Sequence, residues 1–127
     1  MARTRHFRDL LVWQRAMNLA REVYRVTNAF PKSETFGLSM QMRRCAVSVP
    51  SNIAEGHGRL SDKSLRVFLA QARGSLYELE TQLQLAADLK YINAEQANGL
   101  TSGCDEVAKM INGLLGAIRR SEDTDAR

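Results

Sequence analysis

From residue 65 to residue 86 the apolar side chains Leu65, Leu69, Ala72, Leu76, Leu79, Leu83 and Ala86 fall in alternating steps of four and three. An α-helix turns once every 3.6 residues, so only a helix brings all of these positions to one face. A strand would need alternation at every second residue. Ser61 precedes the segment as an N-cap, and Asp62 sits in the first turn, where the helix dipole favours negative charge. The spacing predicts a helix over about residues 62–89. Its far end lacks the usual stop, because Lys90 stands where glycine is easiest.

The same rhythm recurs three times. Val12, Ala16, Leu19, Val23, Val26 and Phe30 mark a helix over about residues 9–29, stopped by Pro31, which pushes Phe30 out of the helical region. Leu38, Met42, Cys45 and Val49 mark another over about residues 34–55, closed by Gly56 and Gly58. Pro50 lies inside it and is expected to kink or break it near residues 46–49, with Ser51 and Asn52 placed to satisfy freed backbone groups. Ala97, Leu100, Cys104, Val107, Ile111, Leu114 and Ile118 mark the last, over about residues 94–119, opened by a capping box of Asn93 and Gln96. Gly99, Gly103, Gly113 and Gly116 each cost it up to about 1 kcal/mol relative to alanine, which close approach of a neighbouring helix would offset. Residues 121–127 are polar and expected to fray. Four amphipathic helices with short connections imply an all-α fold, an antiparallel up-down-up-down four-helix bundle. A length of 127 residues suits one such domain over 1–127.

The first helix carries a second apolar stripe, Trp13, Met17, Ala20 and Tyr24, roughly 110° around the axis from the first. A monomeric bundle needs only one stripe. The second either packs against a neighbouring helix of the same chain or forms an oligomer interface, where aromatic residues are enriched. These four residues are therefore the expected interface.

Charge is unevenly placed. Lys and Arg number 18 against 14 Asp and Glu, for a net charge of +4 and a pI near 9.4. Residues 1–63 hold 11 basic against 5 acidic residues, and residues 64–127 hold 7 against 9. Fourteen of the basic residues are Arg, whose planar guanidinium suits phosphate or carboxylate. A modest basic excess of this kind fits RNA or DNA as a partner. Arg3, Arg5, Arg8, Arg21, Arg25, Arg43, Arg44 and Arg59 are the candidate contacts. The competing readings are a solvated face and structural salt bridges to carboxylates such as Glu78 and Glu80. The segment from Glu55 to Arg59 reads as loop closure or as an anion-binding backbone nest.

Other functional classes find little support. No apolar run reaches 18 residues, so no membrane span is expected. No apolar signal core precedes Asp9, which points to the cytoplasm. Cys45 and Cys104 fall among apolar helical positions and read as reduced, buried thiols. Neither His6 nor His57 follows a Glu by three residues, so the carboxylate-bridged metal pattern of helical bundles is missing. Cysteine pairs at metal spacing, a Gly-Lys-Ser/Thr phosphate loop and a Gly-x-Ser-x-Gly elbow are missing too. No catalytic residue, metal or cofactor is expected, and the protein reads as a non-enzyme. The alternative to nucleic-acid binding is a protein-interaction scaffold.

Several blocks resemble a known family. Residues 9–16 (DLLVWQRA) resemble its DLxVWQKA start, and Phe30-Pro31 with Glu34-Thr35-Phe36-Gly37-Leu38 resembles its FPxxExFGL turn. Residues 43–56 (RRCAVSVPSNIAEG) resemble RRAAVSIPSNIAEG, and residues 74–81 (GSLYELET) resemble GSLxELET. Together they are similar to the bacterial four-helix bundle proteins named for open reading frames in 23S rRNA intervening sequences. That family also includes accessory variability proteins of diversity-generating retroelements. The resemblance covers about residues 7–118, and its Ser-Asn-Ile-Ala-Glu-Gly block is the most specific part. It implies a homopentameric barrel of bundles. For the retroelement branch it implies nucleic-acid binding through a basic surface and a reverse transcriptase as partner. The intervening-sequence branch, which this chain resembles more, has no settled activity. Cys45 in place of alanine, and Lys90 in place of the glycine before Tyr91, depart from the pattern.

Overall fold

The computed structural model of the chain describes residues 6–125. A 3-10 turn at Phe7–Asp9 leads into α1 (Leu11–Thr27), and a second at Lys32–Glu34 precedes α2 (Leu38–His57). Helices α3 (Asp62–Asp88) and α4 (Ala94–Asp125) follow, and no strand occurs among the described residues. Each helix packs on its sequence neighbours and α4 returns to α1, the arrangement of a four-helix bundle.

The predicted stripes meet in one core. Val12, Ala16, Leu19, Val23 and Val26 of α1 are buried with Met42, Cys45, Val49 and Ile53 of α2. The whole α3 stripe joins them, as do Leu100, Cys104, Val107, Ile111 and Ile118 of α4. Each large aliphatic side chain so buried contributes about 1.5–3 kcal/mol.

Helix ends follow local chemistry. Ser61 Oγ accepts from Ser64 N at 3.1 Å. Asn93 and Gln96 close a reciprocal capping box at 2.8 and 3.0 Å. At the end of α3, Lys90 adopts φ 63°, so Lys90 N reaches Ala87 O at 3.0 Å and Tyr91 N reaches Ala86 O at 2.9 Å. This pair of bonds is a Schellman closure made without glycine.

Three details differ from the sequence expectations. Helix α2 opens at Leu38, not near residue 34, because residues 32–34 form a 3-10 turn and Gly37 leaves the helical region at φ −105°, ψ −115°. The Glu34 carboxylate replaces a cap there: Oε1 accepts from Leu38 N at 3.2 Å, and Oε2 accepts from the Tyr91 hydroxyl at 2.9 Å. Helix α2 is also continuous from Leu38 to His57, so of the kink or break expected at Pro50 the break does not occur. Asn52 Nδ2 donates to Ser48 O at 2.8 Å, and Ser48 Oγ lies 2.8 Å from Ser75 Oγ on α3, which braces that turn. Helix α4 continues past residue 119 to Asp125, anchored by an ion pair of 2.6 Å between Arg66 and Glu122. Of the α4 glycines, Gly103 faces Leu19 of α1, while Gly99 and Gly113 have open space above them. Among the glycines, Gly56 of α2 has the closest approach to another helix, with Phe68 and Leu65 of α3 standing where its Cβ would be.

Candidate interaction surfaces

Most candidate arginines already hold a partner within the chain. Arg3 and Arg5 lie outside the described residues. Arg8 stacks on the Phe7 ring at 5.0 Å, and its Nη1 lies 3.0 Å from His6 Nε2. Arg21 donates to Asn18 Oδ1 at 2.7 Å. Arg25 pairs with Glu22 at 2.6 Å, and its hydrogen bond holds the Glu22 carboxyl below the usual range. Arg59 pairs with Glu55 at 3.2 Å and covers the Phe68 ring at 4.7 Å. Exposed pairs like these are worth about 0–1 kcal/mol, so a phosphate can compete for such arginines.

Arg43 is different. Its guanidinium stacks on the Tyr24 ring at 4.8 Å and donates to Thr27 Oγ1 and Asn28 Oδ1, both at 2.8 Å. It therefore clamps α2 onto the C-terminal end of α1, where cations are favoured by the helix dipole. Arg44, the next residue, is exposed and makes no hydrogen bond or ion pair among the described residues. The nest reading of residues 55–59 finds no geometric basis: α2 runs to His57, and no described glycine has positive φ.

The second stripe of α1 borders an open groove of about 550 Å³ between α1 and α2. Trp13, Met17, Ala20 and Tyr24 line it with Val47 and Pro50. Ala20 is buried, Trp13 and Met17 are half-buried, and Tyr24 is 44% exposed. An adjoining groove shares Tyr24 and Val47 and extends to Met40 and Phe36, the last 83% exposed. The result is one apolar band along the α1–α2 side. Arg21 lines the first groove and Arg44 the adjoining one, so neither can serve nucleic acid while the band is an oligomer interface.

A groove that the sequence reading missed lies between α3 and α4, lined by Arg66, Arg73 and Arg119. The seven-residue spacing of Arg66 and Arg73 was the available signal, since it sets both on one side of α3. Further along the same pair of helices, Glu80 faces Asp105. Burial and that neighbour hold the Glu80 carboxyl above the usual range. Burial pushes the Cys45 thiol up to about 11 and the Cys104 thiol up to about 12, with Glu80 and Asp105 adding to the latter. Both stay protonated and weakly nucleophilic at neutral pH.

A stability test follows for Glu80. Its folded pKa lies above the unfolded value, so its contribution is fully present below the unfolded value and is lost as pH rises through the folded one. Glu80→Gln should raise the thermal midpoint at pH 7 and converge with the unaltered protein near about pH 4. Equal midpoints at pH 7 would show that the carboxyl pair is not strained.

The family model for 23S rRNA-intervening sequence proteins matches residues 8–113. The chain belongs to that family. The match covers α1, α2, α3 and most of α4, and so includes the apolar band and two of the three α3–α4 arginines. The fold is also similar to a solved structure from Bacteroides thetaiotaomicron, a protein of unknown function from the S23 ribosomal protein family. The two are 22% identical with a TM-score of 0.78, over 83% of this chain and 98% of that one. At that identity the likeness establishes a shared fold. No curated protein matches the chain. Among the described residues no helix is long and apolar enough to cross a membrane.

Proposed function

We propose that the protein is a non-enzymatic homo-oligomer that binds RNA or DNA through arginines on its outer surface. The observation that carries the reading is the apolar band on α1 and α2, with Phe36 83% exposed and Tyr24, Met40 and Val47 around it. A contiguous band of this kind marks an interface. Self-association also answers the electrostatic weakness of one copy, because each subunit adds +4 to a common surface. A homopentamer is the assembly that the family resemblance implies.

Light scattering well above micromolar concentration tests assembly; a mass that stays at 14.2 kDa sinks it. Fluorescence titration with structured RNA and duplex DNA at about 50 mM and about 200 mM salt tests binding. Affinity should fall steeply between the two, and no binding at the lower salt refutes the reading. Arg25→Gln, at an exposed position outside both grooves of the band, should weaken binding and leave the fold intact by circular dichroism. Arg43→Gln should lower stability by about 1–2 kcal/mol, because it removes hydrogen bonds that join two helices. The same exposed Phe36 also suits a scaffold that docks another protein. Partners recovered in a pull-down after nuclease treatment would favour that second reading.

A further inference from the structure

The half of the chain that carries more acid than base also builds a cleft with no carboxylate in its lining. Between α3 and α4, an open cleft of about 580 Å³ is lined by Arg66, Arg73 and Arg119, with Asn112 and the apolar Val67 and Leu115. Arg66 and Arg73 are two helical turns apart on α3, about 10 Å along the axis. Asn112 and Arg119 are spaced alike on α4. Arg73 donates to the neutral Asn112 Oδ1 at 2.9 Å, so its charge has no counter-ion there. Arg119 is exposed and makes no hydrogen bond or ion pair among the described residues. Arg66 alone is paired, with Glu122 at 2.6 Å. By contrast, the α1–α4 groove of similar size, about 540 Å³, mixes Arg15 and Arg25 with Glu22, Glu95 and Glu106. The α3–α4 cleft thus gathers three arginines against the single carboxylate of Glu122.

The cleft also has places for bases. Val67 is half exposed on its α3 wall, and Tyr77, 51% exposed and just beyond the cleft's lining, follows Arg73 by one helical turn on the same side. Cations alternate with apolar and aromatic surface along α3 in the order Arg66, Val67, Arg73, Tyr77. A positive groove that tracks a backbone beside aromatic stacking platforms is how single strands are held without sequence preference. Duplex recognition instead uses a protruding helix or ribbon that enters a groove of the nucleic acid. We propose that the α3–α4 cleft binds the sugar–phosphate backbone of single-stranded nucleic acid. Arg73 and Arg119 contact phosphates, Glu122 positions Arg66, and Tyr77 stacks on a base. The assignment rests on the nucleic-acid reading above and names a surface formed by other helices than the apolar band.

The test is equilibrium binding of labelled oligouridine, and of a labelled duplex, across a range of salt. The double variant Arg73→Gln, Arg119→Gln should bind the single strand at least about tenfold more weakly at low salt. The slope of log affinity against log salt should flatten by about 1.4, roughly 0.7 for each single-strand phosphate that the variant no longer neutralises. Tyr77→Ala should weaken binding about tenfold with the slope unchanged, as removal of a stacking platform does. Arg119→Gln alone, at an exposed position, keeps the test valid if the double variant folds poorly by circular dichroism. Unchanged affinity and slope overturn the cleft assignment and leave nucleic-acid binding standing. No binding by the unaltered protein at low salt overturns both. Equal weakening on the duplex overturns the single-strand assignment. Abolished binding together with a changed assembled mass makes the cleft a contact between copies, and overturns it as well.

Discussion

Gly56→Val is expected to destabilise the protein by about 2–3 kcal/mol, read as a lower urea midpoint with an unchanged slope. A Cβ added at Gly56 would lie 2.9 Å from Phe68 Cβ and 3.1 Å from Leu65 Cδ1, with Leu65 O at 3.5 Å. Leu65 Cδ1 is a chain end that can turn aside, but Phe68 Cβ, the nearest atom, and Leu65 O sit on or next to the α3 backbone and cannot. The helices must separate or shift, and overpacking of this kind costs about 1–3 kcal/mol. Helix propensity pulls the other way, since alanine is favoured over glycine by up to about 1 kcal/mol inside a helix. The steric effect wins at Gly56 because the contact is below 3.0 Å. It has no counterpart at Gly113, where a Cβ meets nothing within 4 Å. Gly113→Ala should therefore stabilise, by up to about 1 kcal/mol, while Gly56→Ala should destabilise. If the two alanine variants shift the midpoint in the same direction, the close α2–α3 approach is not as described.

That contrast shows where sequence reasoning succeeds on this chain and where it stops. The stripes of all four helices were legible because burial of one face obliges apolar residues to recur at the helical period. The Ser61 cap and the Asn93–Gln96 box were legible because capping acts over three residues. In the sequence Gly56 looks like a stop signal, since glycine close to a second glycine usually ends a helix, and nothing local reveals Phe68 on the facing helix. The four α4 glycines suggest close approach by their number, yet Gly99 and Gly113 face open space. The start of α2 was misplaced for a similar reason: Glu34 is held by Tyr91, which is 57 residues away. Among the arginines, the pairs Arg25–Glu22 and Arg59–Glu55 were readable at helical spacings of three and four. The Arg43 clamp on Thr27 and Asn28 was not, because it depends on how two helices dock. The α3–α4 cleft escaped notice because a charge sum over half the chain cancels arginines on one side of a helix pair against carboxylates on another.

Val47→Lys is expected to dissociate the proposed homo-oligomer while leaving the subunit folded. Val47 is 43% exposed and belongs to both grooves of the apolar band, beside Tyr24. In an isolated subunit a lysine there keeps its ammonium in water, so stability should change by no more than about 0.5 kcal/mol. Under a second copy of the chain the same charge is buried, at a cost of several kcal/mol unless it finds a carboxylate. Neither groove offers one, since their charged lining residues are Arg21, Arg43 and Arg44. A glutamate at this position would be a poorer probe for that reason, because Arg43 and Arg44 lie within one helical turn of it. At about 1.4 kcal/mol per factor of ten, each contact between copies should weaken more than about a hundredfold. Light scattering should then give a mass near 14.2 kDa, with the helical circular dichroism retained. A variant that keeps the full mass of the unaltered assembly would remove Trp13, Met17, Ala20 and Tyr24 from the interface. The dissociated variant also separates the two halves of the proposed function. Its affinity for nucleic acid should fall despite the added positive charge, because a single subunit presents one basic surface where an assembly presents several. Binding that survives dissociation unchanged would place the whole binding surface within one bundle.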